Sequence, residues 1–473
     1  MMMRSQQWMG LLGAVWALNR MQVGAVAAPP VELTPREKAL VSVQAFDAAR
    51  LKQYGGQDNF MVRPGLLADK TGRIVRVSAE SLRLEPGSPA EFPLVTATSG
   101  KDYEAHAVAF AAALDIHNAL QFIGLKPGHG VDAGALQFWP RGDRVAVTFH
   151  YQDPTLTNQV HIPAARLTID TRTGKTLPEN GFVFTGSEWT EVTEPVTGRV
   201  YAADAFTPGC IVSHYNERTT VLDVPRRDAQ SEVYSYQVPN PALRLPSNQV
   251  IEVTFEPYFK DGRAHDFDFV LTVGPGSGSN TADLAYTLQD AAGQPVNTNR
   301  TLSGVLDVLE GFSGIDQAAY LTFHPEESLT MVSLQKVARL LDKLDSEHGV
   351  RVDAPPPGHP YFRAFLPNEQ HRKREARPAL AAELILENGA TGATGTLVLV
   401  SMEWKGDDST PTFSETRLPV PTAAQLIPAL TSKEDVPGVI LAFVPPSMRY
   451  GAFREFVAPL LQRKTILYVF IEP

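Results

Sequence analysis

The chain has 473 residues, of which 43% are hydrophobic and 20% charged, and its formal net charge is −10. These are ordinary values for a globular protein, and the length allows two or three domains. The mildly acidic balance argues against nucleic acid or an anionic membrane surface as the main partner, because both attract basic proteins.

The sequence contains one cysteine, Cys210. An intramolecular disulfide is therefore impossible, and cysteine-ligated iron–sulfur clusters, which take about four thiolates, are excluded. The glycine run at residues 274–278 leads toward another strand, not into a helix, so it does not fit a dinucleotide or phosphate loop. We therefore predict that the protein carries no stoichiometric metal or organic cofactor.

The N-terminus has the pattern of a secretory signal peptide. Arg4 is followed by an apolar run from Trp8 to Leu18, and small residues lead to Ala27 and Ala28. The apolar run is too short to cross a bilayer, which takes about 20 residues. We expect residues 1–28 to be removed on export, leaving a periplasmic or secreted protein with no stable membrane insertion. The alternatives are a disordered tail or a single membrane anchor.

Residues 91–130 are the most informative stretch of the chain. Two strand-like runs flank Ser99 and Gly100, a pattern that predicts a β-hairpin. Alternation along the second run places Glu104 and His106 on one face of the strand.

A short amphipathic helix is predicted after this hairpin. Asp115 stands at its N-cap position, His117 lies in its first turn, and Gly124 ends it. A helix returning over the second strand would bring His117 above Glu104 and His106, an arrangement that would suit a zinc ion or acid–base chemistry.

The same stretch resembles the YdjY-type domain of bacterial envelope proteins. The resemblance extends weakly over about residues 66–257 and is best at 92–124, where its carriers are Phe92-Pro93, Gly100-Lys101, Glu104, His117, Ala119-Leu120 and Gly124. That family usually has a histidine immediately before the glutamate, whereas this chain has Tyr103. The resemblance implies an envelope location but no particular reaction.

The fold class predicted from the sequence is α+β. After the signal peptide we expect a β-rich domain with few helices over 31–257, a β connector over 258–312, and an α/β domain over 313–473. Further helices are predicted over Pro35–Arg50, about Thr330–Leu344 and Met448–Gln462. In the second of these, Leu334, Val337, Ala338, Leu341 and Leu344 share one face. Among the predicted strands are Arg144–Tyr151, Val233–Gln237, Val250–Phe255 and Thr301–Leu309.

The α/β domain is expected to contain an internal pseudo-repeat of two strand–helix–strand units. Between these units, residues 354–378 are Pro-rich and then strongly charged, and they are predicted to form an exposed linker. The second unit resembles the periplasmic domain of ExbD-type transport proteins, through Ile440-Leu441-Ala442 and Tyr450. This resemblance implies a similar fold, not shared energy transduction.

The functional hypothesis from the sequence is an exported bacterial envelope protein that binds an unidentified envelope protein or ligand without catalysis. The alternatives are an uncharacterised hydrolase-like enzyme, with Glu104 and His117 as acid–base residues, or a metal-binding protein using Glu104, His106 and His117. Whether these three side chains converge distinguishes the hypotheses.

Overall fold

The structure, a computed structural model, describes residues 33–472 apart from internal gaps. The gaps are 154–157, 193–197, 206–208, 262–264, 277–282, 298, 313–316, 348, 369–380, 391, 404–411, 432–437 and 464. The expected signal peptide and residues 369–378 of the expected linker lie outside the described residues. The fold is α+β and mostly β, as predicted.

The part of the chain before residue 258 is dominated by strands. Its helices are α1 (Pro35–Tyr54), α2 (Ala113–Phe122) and α3 (Gln230–Tyr236). Its strands are β1 (Phe60–Arg63), β2 (Leu66–Asp69), β3 (Ile74–Ser81), β4 (Phe92–Thr96), β5 (Ala105–Ala109), β6 (Pro127–His129), β7 (Arg141–Gly142), β8 (Arg144–Gln152), β9 (Gln159–Pro163), β10 (Thr168–Asp170), β11 (Lys175–Thr176), β12 (Phe182–Phe184), β13 (Trp189–Val192), β14 (Gly198–Tyr201), β15 (Cys210–Val212), β16 (Leu222–Asp223), β17 (Gln237–Pro239) and β18 (Val250–Pro257).

Eleven of these strands form one sheet that closes on itself. The order is β1-β2-β3-β18-β8-β12-β16-β15-β4-β5, with β9 on β8, and β5 pairs again with β3 where Ala109 lies opposite Ala79. Val77, Phe149 and Phe255 are fully or almost fully buried in the apolar core of this sheet, which also takes the buried face of α2. Closure leaves β3 without a free edge along most of its length.

The predicted hairpin at residues 92–110 is wrong. Strands β4 and β5 are neighbours, but they are parallel, with Phe92 opposite Ala105. After β4 the chain passes Gly100, which has φ 67°, and a short 3₁₀ turn returns it to the start of β4, where the Glu91 N–H donates to the Glu104 carbonyl at 3.1 Å. Because the loop returns to the start of β4, β5 begins beside the start of β4 and runs parallel to it.

The N-cap predicted for α2 is also wrong. The helix begins at Ala113, so Asp115 lies inside its first turn. The free N–H groups of Ala113 and Leu114 donate instead to the two carboxylate oxygens of Asp204, at 2.6 and 2.9 Å. The carboxylate of Asp204, distant in the chain, therefore caps the N-terminus of α2, whereas the local sequence had indicated Asp115 for this role.

The part of the chain after residue 265 holds two smaller sheets. Its strands are β19 (Asp266–Pro275), β20 (Leu284–Asp290), β21 (Ala318–Pro325), β22 (Arg351–Val352), β23 (Ala381–Asn388), β24 (Ala393–Glu403), β25 (Thr412–Val420), β26 (Val439–Val444) and β27 (Ile466–Ile471). Its helices are α4 (Leu302–Glu310), α5 (Met331–Glu347), α6 (Leu426–Leu430) and α7 (Tyr450–Gln462). The strand orders are β20-β19-β21-β22 and β25-β24-β23-β26-β27.

The two sheets share one topology, which extends the predicted pseudo-repeat. Each runs through an antiparallel pair, a helix, a parallel strand, a second helix and a second parallel strand, and β25 is an addition in the second sheet. The loops before α5 and α7 pair with each other, because the Met331 N–H donates to the Met448 carbonyl at 2.9 Å and the Tyr450 N–H to the Leu329 carbonyl at 2.7 Å. Both units contribute to a single apolar core.

The stretch 258–312, predicted as a connector, supplies β19, β20 and α4 of the first small sheet. Its predicted strand Thr301–Leu309 is the helix α4, since the Thr301 hydroxyl accepts from the Gly304 N–H at 3.3 Å and Val305 and Leu309 are buried one turn apart. Likewise, the predicted strand Val233–Gln237 mostly belongs to α3.

The described part of the predicted linker, residues 354–368, is not a simple exposed crossing. A 3₁₀ turn there buries Phe362 and Phe365 in the core shared by the two small sheets. The ring of Phe365 lies 6.0 Å from that of Phe453 on α7. The segment therefore contributes to the core as well as joining the two units.

The junction of the two units gives a first prediction. The buried Tyr450 hydroxyl contacts His359 Nδ1 at 2.8 Å, and Arg454 Nη1 donates to His359 Nε2 at 3.2 Å. Nε2 must therefore be unprotonated, so Nδ1–H donates to the tyrosine oxygen. Tyr450→Phe leaves this donor unpaired, and we expect a loss of about 1–2 kcal/mol of unfolding free energy in urea titrations.

The matched control for this prediction is Tyr286→Phe on β20. It removes a half-buried hydroxyl that makes no hydrogen bond within the described structure. We expect it to cost clearly less than Tyr450→Phe. Equal losses in the two variants would contradict a stabilising role for the hydrogen bond to His359.

Candidate functional site

The three residues singled out in the sequence have separate partners in the structure. Glu104 ends the 3₁₀ turn before β5, His106 lies on β5, and His117 lies on α2. Within the described residues, no group of three or more His, Cys, Asp or Glu side chains is arranged to hold a metal ion.

His106 lies beneath the small sheet formed by β10, β11 and β17. Its Nε2 is 3.0 Å from the Thr168 hydroxyl on β10, and the residue is 5% exposed. Burial lowers the pKa of His106 from 6.5 to about 4, because the charged imidazolium loses its hydration there. The side chain is consequently neutral at physiological pH.

His117 belongs to an aromatic cluster on the other side of α2. Its Nδ1 is 2.9 Å from the Tyr201 hydroxyl, which itself donates to the Gly186 carbonyl at 2.7 Å. Since that hydroxyl has one proton, His117 Nδ1–H is the donor in the contact between them. Phe184 packs against the same imidazole with ring centroids 5.0 Å apart.

Glu104 is part of a buried charged cluster that also contains Glu91, Lys101 and Glu217. The Lys101 ammonium lies 3.8 Å from a Glu217 oxygen and 4.3 Å from the centroid of the Phe92 ring. Burial raises the pKa of each of the three carboxyl groups, and the lysine opposes that rise. Because a single cation faces three carboxyl groups, these groups tend to keep their protons at pH values above the usual pKa of glutamate.

A cavity of about 360 Å³ adjoins His106 on the outside of the closed sheet. It lies between residues 82–87, which follow β3, and residues 238–247, which run from β17 toward β18. Most of its lining is apolar and comes from Leu82, Leu84, Pro86, Ile169, Val238, Pro239, Pro241, Leu243 and Leu245.

The charged residues at this cavity are all basic. Arg83 and Arg244 line it and are exposed to solvent, while no acidic residue of the described chain is among its lining residues. Asn240 is also there, but its amide is held by the Arg166 carbonyl and the Ala242 N–H. The cavity thus joins an apolar interior to two guanidinium groups, as sites for small amphipathic anions do.

Sequence reasoning identified His106 but neither the cavity nor the charged cluster around Glu104. The cavity's other walls come from residues 82–87, about 20 residues before His106, and from segments about 60 and 130 residues further along the chain. Glu91, Lys101 and Glu217 give no local signal, because the return of the chain after β4 brings Lys101 to Glu91 and the loop between β15 and β16 adds Glu217. The one sequence signal for this part of the cavity was the density of prolines among residues 238–247. Such a cluster predicts a loop but does not indicate that the loop lines a cavity.

Comparison with known proteins gives no further assignment, since no protein-family model and no curated protein matches this chain. No helix among the described residues is long and apolar enough to cross a membrane.

Proposed function

We propose that this chain is an exported envelope protein that acts by binding and not by catalysis, and that it holds a small amphipathic anion in the cavity beside His106. The observation that carries the proposal is the lining of that cavity, apolar over most of its surface and basic at Arg83 and Arg244. An alkyl chain would gain from burial there, and an anionic end group would lie near two guanidinium groups.

Two further observations support binding over catalysis. His106 is neutral and tied to Thr168, and His117 donates to Tyr201, so each imidazole already has a fixed structural partner. Glu104 interacts with Lys101 and with the carboxyl groups of Glu91 and Glu217, and neither histidine is among the groups that shift its pKa. This arrangement lacks the linked nucleophile and base, or acid and base, that hydrolysis uses.

The test is calorimetric titration of the purified protein with three probes of equal chain length: decanoate, decanol and decylammonium. Decanoate is expected to bind best and decylammonium worst, because only the first has a charge complementary to the arginines. Arg244→Gln should weaken decanoate binding about tenfold, a free-energy change of about 1.4 kcal/mol. Arg166→Gln is the control, because this exposed arginine does not line the cavity.

A second variant tests the position of the ligand. Leu84→Trp fills the cavity from its outer wall, and it should abolish binding of decanoate without unfolding the protein, since Leu84 is only half-buried. Binding of decanoate that is unaffected by this change, or equal affinities for decanoate and decylammonium, would refute the proposed site.

A further inference from the structure

Two histidines that do not line the cavity face each other on neighbouring strands. His150 on β8 lies directly opposite His161 on β9, and their Nδ1 atoms are 2.5 Å apart. The ring centroids are 4.7 Å apart and the ring planes are nearly perpendicular, at 80°. His161 is exposed and His150 is partly exposed, so the pair is open to solvent.

The contact between these two nitrogens requires one proton between them, and a neutral His161 supplies it when its Nδ1–H donates to the bare Nδ1 of His150. Two bare lone pairs at this distance repel each other, and two N–H groups would collide, so a single proton must lie between the rings. His150 is held for this role by the Thr254 hydroxyl, 2.7 Å from its Nε2. When Nε2–H donates to that hydroxyl, the Nδ1 lone pair of His150 points at His161.

We propose that His150 and His161 bind one divalent transition-metal ion through their Nδ1 atoms, in place of the shared proton. Metal–imidazole distances of about 2.0–2.1 Å place two nitrogens on one ion roughly 3 Å apart, so the rings need to separate only slightly. The exposed His161, on a strand that pairs only with β8 among the described strands, can make this movement. The hydrogen bond from His150 Nε2–H to the Thr254 hydroxyl supports the first ligand as outer-shell partners do at metal sites.

The charges nearby limit the site to two protein ligands. Glu252 lies opposite His150 on β18, but its carboxylate is 2.7 Å from Arg76 and 3.6 Å from Arg50 on α1. The remaining coordination positions are therefore left to water or to an external ligand. Among ions that imidazole suits, Cu²⁺ binds most tightly to a given set of nitrogen ligands, so we assign the preference Cu²⁺ over Ni²⁺ and Zn²⁺.

This inference is independent of the proposed anion cavity, and it revises the expectation of a metal-free protein drawn from the sequence. That expectation considered His106 and His117 because they stand near each other in the chain. His150 and His161 are likewise eleven residues apart, but it is the register of β8 on β9 that makes them direct neighbours.

The experiment is titration of tag-free protein with Cu²⁺, followed by calorimetry and electron paramagnetic resonance. We expect one saturable equivalent whose hyperfine pattern shows two nitrogen ligands. Each of His150→Ala and His161→Ala should weaken that equivalent at least about tenfold, since one of two protein ligands is lost. His129→Ala is the matched control, because its Nδ1 contacts the Gly130 carbonyl and faces no second histidine.

The spectrum of the unaltered protein reports the number of nitrogen ligands directly, so it tests the assignment even if the alanine variants fold poorly. A pattern with fewer than two nitrogens would overturn the assignment, as would the absence of saturable binding. Copper binding that survives both alanine substitutions unchanged, or Zn²⁺ bound more tightly than Cu²⁺, would also contradict it.

Discussion

Replacing Arg141 with alanine is expected to lower the free energy of unfolding by about 2 kcal/mol and to uncouple the closed sheet from the two small sheets. Arg141 on β7 forms an ion pair with Asp268 on β19, and its Nε lies 3.8 Å from Asp353. Its guanidinium carbon is 3.5 Å from the centroid of the Tyr320 ring on β21. One side chain of the first part thus contacts three residues of the second.

The magnitude follows from the burial of this group. The stacking of the guanidinium on Tyr320 contributes up to about 2 kcal/mol when it is shielded from water, whereas the ion pair adds less than about 1 kcal/mol because Asp268 is exposed. Tyr320 is almost fully buried, so the stacked cation is also screened from water. Urea unfolding followed by limited proteolysis measures both the loss of stability and the loosening of the two parts.

A matched control is available in Arg172→Ala. Arg172 also forms an ion pair, with Asp170, and lies 4.3 Å from the Tyr236 ring, but these contacts are exposed and stay within the first part. We expect little change in stability from this substitution. An Arg141→Ala protein that unfolds and is cleaved like the Arg172→Ala control would disprove the coupling role.

Replacing His106 with glutamine is expected to make the protein less sensitive to acid. The pKa of His106 falls from 6.5 to about 4 on folding, because the imidazole is buried. Between these values the unfolded chain binds a proton that the folded protein does not, so stability falls as the pH is lowered from 6.5 toward 4. A shift of this size corresponds to about 3 kcal/mol, which the glutamine variant does not lose.

Other buried groups also make the free energy of unfolding depend on pH, some in the same direction as His106 and some in the opposite direction. The variant must therefore be compared with the unaltered protein over the same pH range. His214 acts in the same direction as His106, because burial lowers its pKa to about 3. The carboxyl groups of Glu91, Glu104 and Glu217 act in the opposite direction, since burial raises their pKa values. Their contribution to stability is present below the pKa of unfolded glutamate and is lost as the pH rises.

The measurement is the free energy of unfolding in urea at a series of pH values from 7 to 4. The curve of His106→Gln should fall less steeply toward pH 4 than that of the unaltered protein. The curve of Glu217→Gln should instead fall more steeply toward acid than that of the unaltered protein. The substitution removes a carboxyl group whose raised pKa adds stability at low pH. Parallel curves for His106→Gln and the unaltered protein would show that His106 is accessible to protons in the folded state.

Strong local periodicity is what made some elements predictable. The helix predicted over Pro35–Arg50 is α1, and the one predicted from about Thr330 to Leu344 is α5, where Leu334, Val337, Leu341 and Leu344 are buried as their spacing indicated. Strands β8 and β18 were also predicted within two residues of their ends. In α5 and in these two strands a single apolar face repeats often enough to outweigh local exceptions. Helix α1 has no such face, since only Ala39 and Val43 are buried there.

The elements that were missed depend on partners elsewhere in the chain. Residues 379–438 carried no prediction, yet they supply β23, the central strand of the second small sheet, which pairs with β24 on one side and β26 on the other. The predicted strand Val233–Gln237 became helical up to Tyr236, and its one buried residue there is Val233. In so short a segment the surroundings decide between helix and strand.

The sequence by itself determined the composition class, the lack of disulfides, the β-rich α+β fold and the existence of a C-terminal repeat, because these follow from residue counts and local patterns. Only the tertiary structure decided that β4 and β5 run parallel, that Asp204 caps α2, and that His150 meets His161. The cavity beside His106 likewise needs walls from distant segments. Register and closure of a sheet are set by long-range pairing, and no local pattern specifies which distant residues will lie side by side.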